Sequence, residues 1–356
     1  MNIANIQKLI EEKSLHLDIE ACISLKIKDD IFRPGTVRVH LPAPINASWL
    51  REGQLLDSEP FFRMASVEDY PQRSVYFNER LTENTPFSVK YAFTSEHTYV
   101  NPDIDLVDST EQKVFSNAEI DRFSKNHHCG CESYTALPHD AVSILDVIED
   151  RGIVFRPEYA EFLNNLSIPC TKAFEENSVN VENSLKNGSI ARKIYDFITE
   201  NFGKMNRDDH NIAFTAMCRM CGIPARWQGG WAVSDNNISN NAIAHDWAMV
   251  HLLPYGWIYV DCDFGAEAFH KKLSCAGTTT DIRLHDFFFG NIDPCMVPTA
   301  SVPGADLYPA KDYERADKMF NIYGEVELVP DKLSSEGNFD GYGLKSSDFE
   351  SIIHII

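Results

Sequence analysis

The chain is expected to adopt an α+β fold, and three observations carry that expectation. Period-two alternation marks several runs before residue 98. Helical periodicity marks two segments between 186 and 221, and short strand-like runs and turns follow them. The first domain is read as an antiparallel β-sandwich-like unit, and the second as helices followed by short strands.

Residues 1–16 open with a short helix, because Ile3, Ile6, Leu9 and Ile10 share one helical face. Ile23, Leu25 and Ile27 then alternate with Ser24, Lys26 and Lys28. Val37, Val39 and Leu41 alternate with Arg38 and His40, and Phe87, Val89, Tyr91 and Phe93 repeat the period. Turn signals such as Arg33-Pro34-Gly35 and Glu83-Asn84-Thr85-Pro86 separate these runs. A polar, irregular stretch from about 100 to 150 holds His127-His128-Cys129-Gly130-Cys131, and a helix is expected around Arg156–Leu166. A further helix starts at Ser189 as N-cap, with Ile190, Ile194, Phe197 and Ile198 on one face. The next covers Asp209–Met220 and stops at Gly222-Ile223-Pro224. The closing Ile352–Ile356 run reads equally as a docked strand or a frayed end. The expected divisions are 1–98, helix and β-domain; 99–185, connecting region; 186–330, core; and 331–356, tail.

Composition narrows the function. Among 356 residues, 53 acidic against 32 basic side chains give a net charge of −21, with 44% apolar and 24% charged residues. A chain this acidic lacks the basic face that nucleic acid requires, and anionic membranes would repel it. No apolar run approaches the roughly 18 residues of a spanning helix. Residues Met1–Lys8 lack the build of a signal peptide. Nine cysteines in no framework spacing favour free thiols, and with them a cytoplasmic setting.

Residues 218–231 read Cys-Arg-Met-Cys-Gly-Ile-Pro-Ala-Arg-Trp-Gln-Gly-Gly-Trp. They are followed by His245-Asp246-Trp247-Ala248 and by Tyr255-Gly256-Trp257-Ile258-Tyr259-Val260-Asp261. In order and type these runs resemble the transglutaminase-like superfamily of papain-related Cys-His-Asp enzymes. Asp286–Pro294, Pro309-Ala310-Lys311 and Gly324–Glu327 resemble landmarks of its bacterial branch. The resemblance implies a papain-related core with a curved antiparallel sheet. It also implies that His245 and Asp261 occupy the two triad strands, and that no cofactor is needed.

In such a site a thiolate attacks an acyl carbon, the His carries its proton, and the carboxylate orients the imidazole. The family's nucleophilic Cys opens the helix about three turns before the Arg that corresponds to Arg219. Counting back reaches Arg207-Asp208-Asp209-His210, which contains no cysteine. The family's long approach to the nucleophile is also shortened here to Asn201–Asn206.

Several readings therefore stand. His245 and Asp261 form either a buried structural pair or the remnant of a site. Asp208, Asp209 and His210 either cap the helix or sit beside the pair, where they would support proton transfer or a divalent metal held by His210, His245 and Asp261. Gln228, Trp231 and Trp247 are candidates to line a retained cleft for a peptide, glycan or small molecule. Cys218, Cys221 and Cys262 are expected to point away from His245, the last because it follows Asp261 in a strand. The best candidate for a relocated nucleophile is Cys129 or Cys131, in a His-His-Cys-Gly-Cys cluster that reads otherwise as an irregular surface loop or part of a zinc site.

Overall fold

A computed structural model describes residues 1–45, 47–65, 72–112, 115, 118–119, 141–150, 152–170, 186–201, 210–233, 242–275, 282–304, 306–309, 324–331 and 342–355. Helix α1 (Ile3–Glu12) buries Ile6, Leu9 and Ile10 and starts at Asn2, whose side chain accepts the Asn5 amide. The strands that follow are β1 (Ser14–Ile27), β2 (Gly35–Pro42), β3 (Leu50–Glu59), β4 (Met64–Ala65), β5 (Ser74–Leu81) and β6 (Phe87–Thr98). In β6, and in β1 from Ile19 onward, every second residue is buried, so the alternation in the sequence is the alternation between core and outer face.

Helix α2 (Ile104–Ser109) and helix α3 (Pro157–Asn165) lie in the connecting region, and α4 (Asn187–Glu200) and α5 (His210–Met220) form the helical layer of the core. Ser189 is not the N-cap of α4. The helix starts at Asn187, and Asp108, in the last turn of α2, accepts the Gly188 and Ser189 amides in place of a local cap. Gly188 permits this approach, because a Cβ there would stand 2.8 Å from the Asp108 carboxylate.

The core sheet is antiparallel, in the order β12-β9-β8-β7-β13. Its strands are β7 (Ala225–Val233), β8 (Ala242–Leu252), β9 (Gly256–Val260), β12 (Phe289–Gly290) and β13 (Met296–Ala300). Between β9 and β12 come α6 (Cys262–Lys271), a two-stranded ladder of β10 (Ser274–Cys275) and β11 (Ile282–Arg283), and α7 (Leu284–Phe287). Helix α5 packs its buried residues on β7 and β8 and ends where Gly222 takes the left-handed conformation.

The connecting region is fastened by the two arginines that flank Gly-Ile-Pro-Ala. Arg219, buried, bonds the Asp150 carboxylate at 2.8 Å, and Arg226 bonds Asp146 at 2.8 Å while lying over the Trp257 ring. Two late strands then return to the first domain. β14 (Glu325–Pro330) pairs with β2, and β16 (Phe349–Ile355) pairs with β1; short β15 (Tyr342–Gly343) flanks β14. The sandwich sheets are therefore β16-β1-β6-β3 and β15-β14-β2-β5-β4, each assembled from both ends of the chain. The closing isoleucine run, through Ile355, is a docked strand. The architecture is α+β with antiparallel sheets, as the periodicity predicts. Among the described residues no helix is long and apolar enough to cross a membrane.

Candidate functional site

Three chain segments meet at one corner of the core: the start of β8, the junction of β9 with α6, and the start of α5. β8 carries His245. Its neighbour β9 ends at Val260, and Asp261 follows as the N-cap of α6. His245 Nε2 lies 2.7 Å from Asp261 Oδ2, and both side chains are buried. Asp261 Oδ1 accepts the Phe264 amide at 2.9 Å, so one oxygen holds the imidazole and the other starts a helix. The His245 ring is stacked on Phe264, with centroids 4.2 Å apart. With Nε2 engaged, Nδ1 is the nitrogen on which any exchange with a substrate would take place.

Cys262 is the first residue of α6 rather than a strand residue, as the sequence reading had it. Asp at 261 ends the strand by capping, and Asp263 in the first turn favours the helix. The expectation that the Cys262 thiol is not a nucleophile acquires a different cause. Burial, followed by the nearby Asp263 and Asp261 charges, pushes its pKa well up. Burial does the same to Cys218 and Cys221.

The start of α5 abuts this pair. His210 Nδ1 lies 2.8 Å from Asp263 Oδ1, a second imidazole–carboxylate contact two residues along the chain from the first. Asn211 donates to the Asp246 carbonyl and accepts the Cys262 amide, each at 2.9 Å. Asp246 itself accepts from Trp227 Nε1 at 2.6 Å. Burial alone would lower the His245 pKa. Asp261, by charge and hydrogen bond, and then Asp263 and Asp246 outweigh it and raise the value to about 9. Burial and the Asp263 charge push Asp246 up to about 7, against the opposing pull of His245 and the Trp227 donor.

Of the residues expected to line a cleft, Trp231 and Trp247 are fully buried, and Trp247 Nε1 donates to Gln228 Oε1 at 3.0 Å. Asp208, Asp209, Cys129 and Cys131 lie outside the described residues, as does Arg207, so of the stretch expected to hold the nucleophile only His210 is described. Among the described residues no three metal-capable side chains converge on one point. Asn211, Asp246 and Asp263 escaped the sequence reading. The one available signal was the Asp-Cys-Asp run, a helix start in its own right.

Residues 173–262 match the family model of the transglutaminase-like superfamily. The core carries a transglutaminase-like segment. The match spans α4, α5, β7, β8 and β9 and ends one residue past Asp261, so it includes both members of the pair. A crystal structure of a candidate cysteine protease from Cytophaga hutchinsonii is similar at 16% identity, with a TM-score of 0.40. The similarity covers 96% of this chain and 100% of that one. No curated relative matches the chain.

Proposed function

We propose that this transglutaminase-like protein lacks thiol acyl transfer and uses the region around His245 to bind a peptide, glycan or small-molecule ligand. The observation that carries the reading is that the stretch where the family's nucleophile would fall, Arg207 to His210, contains no cysteine. Asp261, and then Asp263 and Asp246, outweigh burial and favour the cationic imidazole near neutral pH. In a working site a thiolate would balance that cation. Here the carboxylates around His245 do so, and the stretch that would supply the thiolate, Arg207 to His210, has no cysteine. The buried thiols Cys218, Cys221 and Cys262 are held in their protonated form.

A second reading is favoured by Asp246, whose pKa of about 7 beside a protonated imidazole is suited to proton transfer without a covalent step. On that reading Asp246 would act as base and His245 as acid. Asp209 and His210 would assist, with or without a divalent ion.

The deciding experiment combines iodoacetamide labelling and peptide mapping with amine incorporation into a glutamine substrate. The proposal expects no cysteine whose labelling slows in His245→Ala, and no incorporation. One cysteine that labels fast in the parent and slowly in the variant, with incorporation lost in parallel, would establish a relocated nucleophile instead. Cys129 and Cys131 are the first peptides to inspect.

A further inference from the structure

The His245–Asp261 bond spans two chain segments that nothing covalent holds at a fixed separation. His245 is on β8, and Asp261 lies just beyond the last ladder pair of β9, Ala248 with Val260. One side chain bridges the residues that follow each partner. Asn211 Nδ2 donates to the carbonyl of Asp246, next to His245, and Asn211 Oδ1 accepts the amide of Cys262, next to Asp261. Asn211 is completely buried, both bonds are 2.9 Å long, and the planar amide fixes the separation of the two groups it joins.

We propose that Asn211 is the positioning residue of the His245–Asp261 pair, holding imidazole and carboxylate in register across the open end of the β8–β9 hairpin. The ladder stops short of the pair, and the Asn211 amide continues it by one side-chain rung. The amide also commits the start of α5 to the same corner, which explains why His210 reaches Asp263. An apolar residue at 211 would strand the Cys262 amide in the interior, a group that needs a partner. The inference concerns how the pair is held, and it stands whether or not the pair performs chemistry.

The test is a pH titration of the His245 imidazole by nitrogen-15 NMR, assigned with His245→Gln. Asn211→Ala should lower its proton affinity roughly tenfold or more, one pKa unit being a factor of ten. It should also abolish the downfield signal of the proton shared with Asp261. Gln112→Ala is the matched control. Gln112 likewise bridges backbone groups, both on Leu253, at the closed end of the same hairpin. Its loss should lower the melting temperature and leave the His245 titration unchanged. A folded Asn211→Ala protein in which His245 titrates as in the parent would overturn the proposal. If that variant does not fold, Asn211→Ser, too short to span both groups, is read by the same criterion. Hydrogen exchange of the unaltered protein decides independently. The Cys262 amide should be protected as well as that of Phe264, and rapid exchange at Cys262 would refute the bond on which the inference rests.

Discussion

Gly230 lies directly across the β7–β8 ladder from His245, and a Cβ placed on it would stand 1.9 Å from the Val297 carbonyl oxygen. The bare backbone at 230 is what lets β13 close on β7 behind the pair. The obstacle is main chain on both sides, so no side chain can swing away to make room. Gly230→Ala should cost about 1–3 kcal/mol, as overpacking does. Urea unfolding measures it, and an unchanged midpoint would show that β13 is not held where described.

Asp261 has two duties, and two substitutions separate them. Asp261→Ala removes the α6 cap and leaves a buried imidazolium without its carboxylate, a loss of about 3–5 kcal/mol. Asp261→Asn keeps the Phe264 cap and loses only the charge, so it should retain more stability while lowering the His245 pKa. Equal destabilisation by the two would mean that the Phe264 cap contributes nothing and that the charge carries the whole effect.

Stability should decline as pH rises through the neutral range. His245 in the fold keeps its proton to about pH 9, whereas the unfolded chain releases it near the ordinary imidazole value of 6.5. The stabilisation is therefore complete below about pH 6.5 and lost as the pH approaches 9. Asp246 has the same sign at lower pH, since it ionises at about 7 in the fold and at 3.8 in the unfolded chain. Thermal midpoints between pH 5 and 9 should fall steadily, and His245→Gln should flatten the upper part of the curve. A parent midpoint that does not change between pH 6.5 and 9 would contradict the raised imidazole value.

Arg207→Cys places a thiol at the first residue of the Arg207–His210 stretch, which lies about three helical turns before Arg219. If the pair retains a working geometry, this cysteine should alkylate faster than every native one near neutral pH, and His245→Ala should abolish the advantage. Slow labelling that ignores His245 would place the nucleophile position elsewhere.

What could be read from the sequence was local or motif-borne. Helix α1 and strands β1, β2 and β6 follow from periodicities only a few residues long. The His245–Asp261 pair follows from the order of the His-Asp-Trp and Gly-Trp-x-x-Val-Asp runs. Helix α6 was hidden because its ten residues follow directly on a strand and contain a glycine, so the Asp261 cap was its only mark. That Gly265 serves packing: a Cβ there would meet the Tyr195 hydroxyl at 2.1 Å, a neighbour no short window contains. Asn211, Asp246 and Asp263 gain their meaning only when a helix start meets the end of a hairpin 35 or more residues away along the chain.

The late strands bear on how this protein is made. Ile23 pairs with Ile353, and Val39 pairs with Val326, so two inner strands of the sandwich each lack one neighbour until about 300 further residues have been made. For most of translation β1 and β2 each present an open backbone edge lined with valine and isoleucine, the template on which foreign strands add. The nascent chain must therefore be shielded, or outpace its own aggregation, until its last strand arrives.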